Sequence, residues 1–212
     1  MKQIFKNQNF IKKCFLIYFL ANFNISQSQE KLNNRHNDSI IFDNKIYKKI
    51  YQIKLANLPI SIELIEKYNS KFSGTVNMNI SRRFNNKREN FTAKIELDNL
   101  LSKKIIKKLK KLGINQLEKE KEILNYTFLD GDETIFKIFT NSSSIEYSFW
   151  ELNPNQKHIF QISKNRKKAQ KIIDFLDCKL NFKLKYSEIK NKLPKGIYYY
   201  INGIVVSKII ID

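Results

Sequence analysis

The sequence predicts an α+β domain: a largely antiparallel meander sheet with two amphipathic helices packed on one face. Three observations lead there. Period-two alternation runs through residues 51–97 in four segments, and helical-period apolar stripes occupy 101–112 and 164–180. Two steps, Asp130-Gly131 and Asn202-Gly203, stand between apolar runs as hairpin turns do.

The first alternating segment places Tyr51, Ile53 and Leu55 on one face, before a turn at Asn57-Leu58-Pro59. Ile60, Ile62 and Leu64 alternate with Ser61 and Glu63 as a second strand. After Asn69-Ser70, Val76, Met78 and Ile80 face one way and Thr75, Asn77 and Asn79 the other. A polar loop over 85–90 leads to a fourth strand, with Phe91, Ala93, Ile95 and Leu97 inward and Thr92, Lys94 and Glu96 outward. These make a meander of hairpins.

The period then changes. Leu101, Ile105, Leu109 and Leu112 lie at helical spacing, widened by Ile106. Asp98 or Ser102 caps the start, and Gly113 ends the helix as a left-handed residue. Lys103, Lys104, Lys107, Lys108, Lys110 and Lys111 fill the other face.

Residues 124–152 read as three strands in the middle of the sheet: 126–129, 134–140, and a third in which Ile145, Tyr147 and Phe149 alternate with Glu146, Ser148 and Trp150. A second helix is predicted over 164–180, capped by Ser163, with Ala169, Ile172, Ile173, Leu176 and Leu180 inward. Lys164, Arg166, Lys167, Lys168 and Lys171 lie opposite. A short helical turn over 187–192 precedes Leu193-Pro194-Lys195-Gly196, and strands 197–201 and 204–211 close the chain.

The N-terminus reads as a bacterial secretory signal peptide over residues 1–28. Lys2, Lys6, Lys12 and Lys13 form a basic segment without acids, residues 14–23 an apolar run too short to span a bilayer, and Ser26 and Ser28 the small residues of a cleavage site. Cys14 opens the apolar run, directly after Lys12-Lys13, instead of following it, which argues against a lipid-anchored cysteine. Residues 29–44 are polar and asparagine-rich, a flexible leader to one domain over 45–212. The protein is thus expected to be exported, to the periplasm, the cell surface or the exterior. Cleavage would leave Cys178 as the lone cysteine, which cannot form an internal disulfide and is expected as a small buried residue of the second helix.

The formal charge is +19, of which four lie in residues 1–28. Nucleic acid is nevertheless not expected as a partner. Export removes the chain from most of it, and the basic residues are nearly all lysine, with arginine only at 35, 82, 83, 88 and 166. Base and phosphate recognition favours the bidentate fork of arginine. Abundant lysine, asparagine and isoleucine together are what an AT-rich genome encodes.

No catalytic motif stands out. Asp130, Asp132 and Glu133 are a tight acidic group, but the later ligands of a calcium loop are missing and a solvated turn accounts for them. His36 and His158 lack a cysteine, histidine or carboxylate at ligand spacing. Ser142-Ser143-Ser144 is a turn, and five glycines leave little material for a phosphate-binding loop. No metal or cofactor is expected. Trp150, with Tyr147 and Phe149 and extended by Tyr198, Tyr199 and Tyr200, is a candidate stacking platform for sugars or peptides. Lys104, Lys108 and Lys111 are candidate contacts for anionic envelope components or polysaccharide.

The end of the chain, Leu193-Pro194-Lys195-Gly196-Ile197-Tyr198, then Asn202-Gly203, then Lys208-Ile209-Ile210-Ile211, resembles the last strands of a type IX secretion C-terminal sorting domain. The resemblance covers residues 193–212 and implies a secretion address. It departs from that family upstream, where a β-sandwich module is expected and residues 164–192 here read as helical. The functional expectation is a non-enzymatic exported domain of binding or structural type. The alternative is a small secreted hydrolase or enzyme inhibitor with a site of dispersed residues.

Overall fold

The structure, a computed structural model, describes residues 43, 45–84, 87–118, 132–155, 163–202 and 205–211. They lie within one compact unit, Ser39–Asp212. The signal segment, most of the leader, the 126–129 strand, Asp130, both histidines and Gly203 of the last turn fall outside the described residues.

The strands are β1 (Tyr47–Lys54), β2 (Ile60–Lys67), β3 (Phe72–Phe84), β4 (Lys87–Leu97), β5 (Glu133–Phe139), β6 (Ser144–Trp150), β7 (Gly196–Asn202) and β8 (Val205–Ile211). The helices are α1 (Asn99–Lys111), α2 (Lys164–Leu180) and α3 (Phe182–Lys190), with a 3-10 turn at Ile114–Gln116. Every pairing is antiparallel, in the order β6-β5-β1-β2-β3-β7-β8, with β4 also paired to β3. This is the α+β, antiparallel architecture that the periodicities predict.

The strand that organises the sheet is β3. At thirteen residues it pairs along 72–78 with β2, along 74–84 with β4, and at Ser81 and Arg82 with β7. β7 joins β3 just past the point where β2 ends. Residues 133–150 give the expected hairpin, β5–β6, but β6 ends the order of described strands instead of standing in its middle. Aromatic and β-branched content shows that a segment is strand; it does not show which neighbours the strand takes.

One face of the sheet carries the core. Tyr51 and Ile53 of β1 lie opposite Leu64 and Ile62 of β2, Ile62 opposite Val76 of β3, and Ile53 opposite Phe136 of β5. All are fully buried. α1 lies over β2 and β3, and α3 over β3 and β4. Thr134, also fully buried, fastens the β5 end: its hydroxyl accepts from the Ala56 amide at 3.1 Å and donates to the Leu152 carbonyl at 2.9 Å.

Local chemistry sets the helix ends. The Asp98 carboxylate accepts from the Leu101 amide at 2.7 Å, so Asp98, not Ser102, caps α1. Gly113 ends it at φ 84°, a conformation open to glycine. Ser163 caps α2, accepting from the Arg166 amide at 2.9 Å. The short turn predicted over 187–192 is the end of a longer helix, α3, whose start is capped by Asn181 accepting from Leu184.

The buried face of α1 is rotated from the predicted stripe. Ser102, Ile105, Ile106 and Leu109 are buried, whereas Leu101 and Leu112 are half-buried. Ser102 enters because β3 presents a glycine beneath it. A Cβ on Gly74 would stand 2.9 Å from the Ser102 hydroxyl, 2.9 Å from Leu64 Cδ2 and 3.1 Å from Leu97 Cδ1. Gly74 thus lets the helix approach the sheet at this point.

Candidate functional site

Three cations of the sheet lie in cross-strand or same-strand ion pairs, whereas the outward lysines of two helices do not. On the strands Lys94 pairs with Glu96 at 2.9 Å, Lys137 with Glu146 at 2.8 Å, and Arg82 with Glu89 at 3.0 Å. α1 contains no acidic residue, and its exposed side carries Lys104, Lys107, Lys108 and Lys111. The two carboxylates of α2 serve the backbone and an amide. Asp174 accepts from the Asn155 amide and the Gln170 side chain, both at 2.7 Å, and Asp177 from the Phe182 amide at 2.9 Å. Lys164, Lys167 and Lys171 of α2 are exposed. Among the described residues no carboxylate pairs with any of these seven lysines.

Lys168 joins the two helices. Its ammonium donates to the Gln116 carbonyl at 2.9 Å, and its stem passes so near Gly113 that a Cβ there would stand 3.0 Å from Cδ. The α1 and α2 lysines therefore belong to one layer, as helices with inward stripes on a common face require. Three basic residues assigned to it by spacing lie elsewhere. Lys103 rests over the Phe72 ring at 5.7 Å, Lys110 turns to Glu66, and Arg166 is buried, its guanidinium donating to the Trp150 carbonyl at 2.7 Å. Lys108, Lys110 and Lys111 also occupy the last turn of α1, where cations offset the exposed carbonyls.

At the edge of the layer lies a cluster of titratable side chains: Lys48, Lys49, Tyr51, Glu66 and Lys110. The β1–β2 register advances two residues on β1 (Tyr47 to Lys49) for one on β2 (Lys67 to Glu66), a β-bulge at Lys48. Consecutive strand residues ordinarily point to opposite faces; the bulge instead brings Lys48 to Glu66 beside Lys49, which is Glu66's partner in register. Glu66 Oε2 accepts from Lys110 at 2.5 Å, and Oε1 lies 3.4 Å from Lys48. Lys49 donates to Asn115 Oδ1 at 3.1 Å, an oxygen that also accepts from the Tyr51 hydroxyl at 3.4 Å.

Burial alone would push the Glu66 carboxyl up, but the hydrogen bond and charge of Lys110, with Lys48, outweigh it and hold the group below its ordinary value of 4.5. Burial first, then Lys110, holds Lys49 below its ordinary 10.5. Burial, then the Glu66 charge, pushes the Tyr51 phenol up. A carboxyl with a depressed folded-state value adds stability above its unfolded value, and that contribution disappears as pH falls through the folded one. Acidification from about pH 6 to about pH 3 is therefore expected to lower the urea midpoint, and Glu66→Gln to flatten that fall. An identical acid limb in the variant would show that other carboxyls govern it.

The remaining candidates are dispersed. Trp150 is half-buried on β6, on the face opposite Tyr147 and Phe149, since successive strand side chains alternate. Tyr198 is fully buried and its hydroxyl donates to the Pro194 carbonyl at 2.8 Å; Tyr199 stands at the far end of the strand order. In that order β5, β1, β2 and β3 stand between β7 and the β6 strand of Trp150. Cys178 is exposed on α2, not buried, because it falls outside the Ala169, Ile172, Ile173, Leu176 stripe. Glu133 begins β5 and Asp132 immediately precedes it, its carbonyl accepting from the Glu151 amide at 2.7 Å. Among the described residues no three His, Cys, Asp or Glu side chains converge, and no helix is long and apolar enough to cross a membrane. Lys104, Lys108 and Lys111 are exposed together, as helical spacing requires.

Sequence reasoning missed Glu66. The signal was present: Glu66 continues the buried parity of Ile60, Ile62 and Leu64, and an acid at such a position calls for a cation from another element. No protein-family model, curated protein or solved structure matches this chain.

Proposed function

We propose that the protein is a non-enzymatic, exported binding domain of the bacterial cell envelope, held to acidic surfaces by the lysine layer of α1 and α2. The observation that carries this reading is the uneven charge pairing. Lys94, Lys137 and Arg82 of the strands have carboxylate partners, while the outward lysines of α1 and α2 have none among the described residues. The N-terminal signal pattern supports export. An anionic membrane attracts each nearby lysine by about 1 kcal/mol, an attraction that salt screens over about 8–10 Å.

Changing Lys104, Lys107, Lys108 and Lys111 together to glutamate tests the reading. The fold is expected to persist, because solvated faces contribute little to stability. Retention on anionic liposomes and on acidic polysaccharide at low salt is expected to fall by at least about tenfold. Equal retention of both proteins would overturn the proposal. The same preparation, isolated from envelope and medium fractions, carries the test of export: its mass is expected to correspond to a chain beginning at Gln29, and an intact Met1 would contradict cleavage.

A further inference from the structure

We propose that the bulge at Lys48 builds a binding site for a phosphate dianion, with Lys49, Lys110 and Asn115 as its contacts and Glu66 as the residue that positions Lys110. This goes beyond the surface reading and does not depend on it. The argument begins with charge. Lys48, Lys49 and Lys110 surround one carboxylate, so the group carries two positive charges in excess. Both Glu66 oxygens are already engaged, Oε2 by Lys110 at 2.5 Å and Oε1 by Lys48 at 3.4 Å. Lys49 is left with a neutral acceptor, the Asn115 amide oxygen at 3.1 Å, and the Tyr51 ring at 5.9 Å. Among the described residues no carboxylate lies within ion-pair distance of it.

The donors come from three elements. Lys49 stands on β1, Lys110 in the last turn of α1, and Asn115, which the buried Tyr51 hydroxyl holds in place, in the 3-10 turn. Phosphate oxygens accept from several directions, and the compact lysine ammonium serves phosphate as a point charge. An arrangement needed only to pin α1 to the sheet would require Glu66 and Lys110 alone. The bulge adds the Lys48 ammonium to a carboxylate whose side chain is 9% exposed and leaves Lys49 beside it without an ion pair. Like charges held together near a partly buried group cost free energy unless an anion joins them. The low basicity of Lys49, caused by burial and by Lys110, agrees with such an unmatched arrangement.

The site is tested by calorimetric titration of the purified protein with inorganic phosphate and, separately, with glycerol 3-phosphate. Saturable one-to-one binding is expected. Tighter binding of the free ion identifies phosphate itself as the ligand, and tighter binding of the ester identifies a terminal phosphate on a larger molecule. Lys49→Gln is expected to weaken binding at least tenfold, whereas Lys49→Arg, which keeps the charge, stays within threefold. In nuclear magnetic resonance titrations the Lys49 amine is expected to become more basic on saturation, since a bound anion favours the ammonium form. Introduced into the four-glutamate variant of α1, Lys49→Gln is expected to cause the same tenfold loss, so the cluster and the helical layer are judged separately. Absence of saturable binding to either probe, or equal affinity of the wild type and Lys49→Gln, would overturn the site.

Discussion

Phe136→Ala is expected to lower the unfolding free energy by about 3–5 kcal/mol, a large share of the roughly 5–15 kcal/mol that holds a domain folded. Phe136 is fully buried on β5 and meets Phe149 of β6 edge to face, with centroids 5.7 Å apart. It stands opposite Ile53 of β1 and Tyr147 of β6, so its ring fills the core where the 133–150 hairpin joins the rest of the sheet. Truncation removes the transfer free energy of the ring and leaves a void bounded by β-strands, which collapse poorly onto it. Urea denaturation followed by Trp150 fluorescence gives the value. Phe139, three residues on and half-buried on the other face, supplies the comparison, and Phe139→Ala is expected to cost about 1 kcal/mol. Equal losses at the two positions would mean that β5 does not stand between β1 and β6 as described.

Gly74→Val tests the closest approach of helix to sheet. By strand propensity alone, valine in place of glycine should stabilise β3 by up to about 1 kcal/mol. Packing reverses the sign. Even a Cβ would stand 2.9 Å from Leu64 Cδ2 and from the Ser102 hydroxyl, which come from β2 and α1. The leucine tip can shift, but Ser102 is fully buried on a helix anchored by Ile105, Ile106 and Leu109. The valine variant is expected to lose about 3 kcal/mol, as overpacked cores do. Ser102→Ala on its own is expected to be neutral or slightly stabilising, since the hydroxyl is buried without a hydrogen-bond partner among the described residues. Combined with Gly74→Ala it is expected to recover part of the alanine cost, a coupling of at least about 0.5 kcal/mol in a double-mutant cycle. Strict additivity, or a Gly74→Val protein as stable as the parent, would show that the helix does not bear on β3 here.

Features that depend on near neighbours along the chain were readable from residue order. Alternation at Ile60, Ile62 and Leu64 and at Val76, Met78 and Ile80 marks strands because side chains repeat every two residues. The span Lys164–Leu180 follows from Ser163 as cap and from a stripe at helical spacing. The exposure of Lys104, Lys108 and Lys111 follows from the same periodicity, and that half of the candidate surface was legible. Tertiary structure decided what depends on partners remote in sequence. Strand order is one case: β5 lies beside β1 and β7 beside β3, and pattern alone is compatible with many orders. The face of α1 is another, since Ser102 turns inward to meet a glycine 28 positions earlier. Arg166 and Lys110 leave the basic layer because the Trp150 carbonyl and the Glu66 carboxylate, on other elements, offer buried acceptors. The Lys48 bulge is a matter of register between two strands, and no spacing within either strand encodes it. Periodicity says which side of an element is buried; only the packed neighbours say which polar groups go in with it, because a polar group is buried where a partner waits for it.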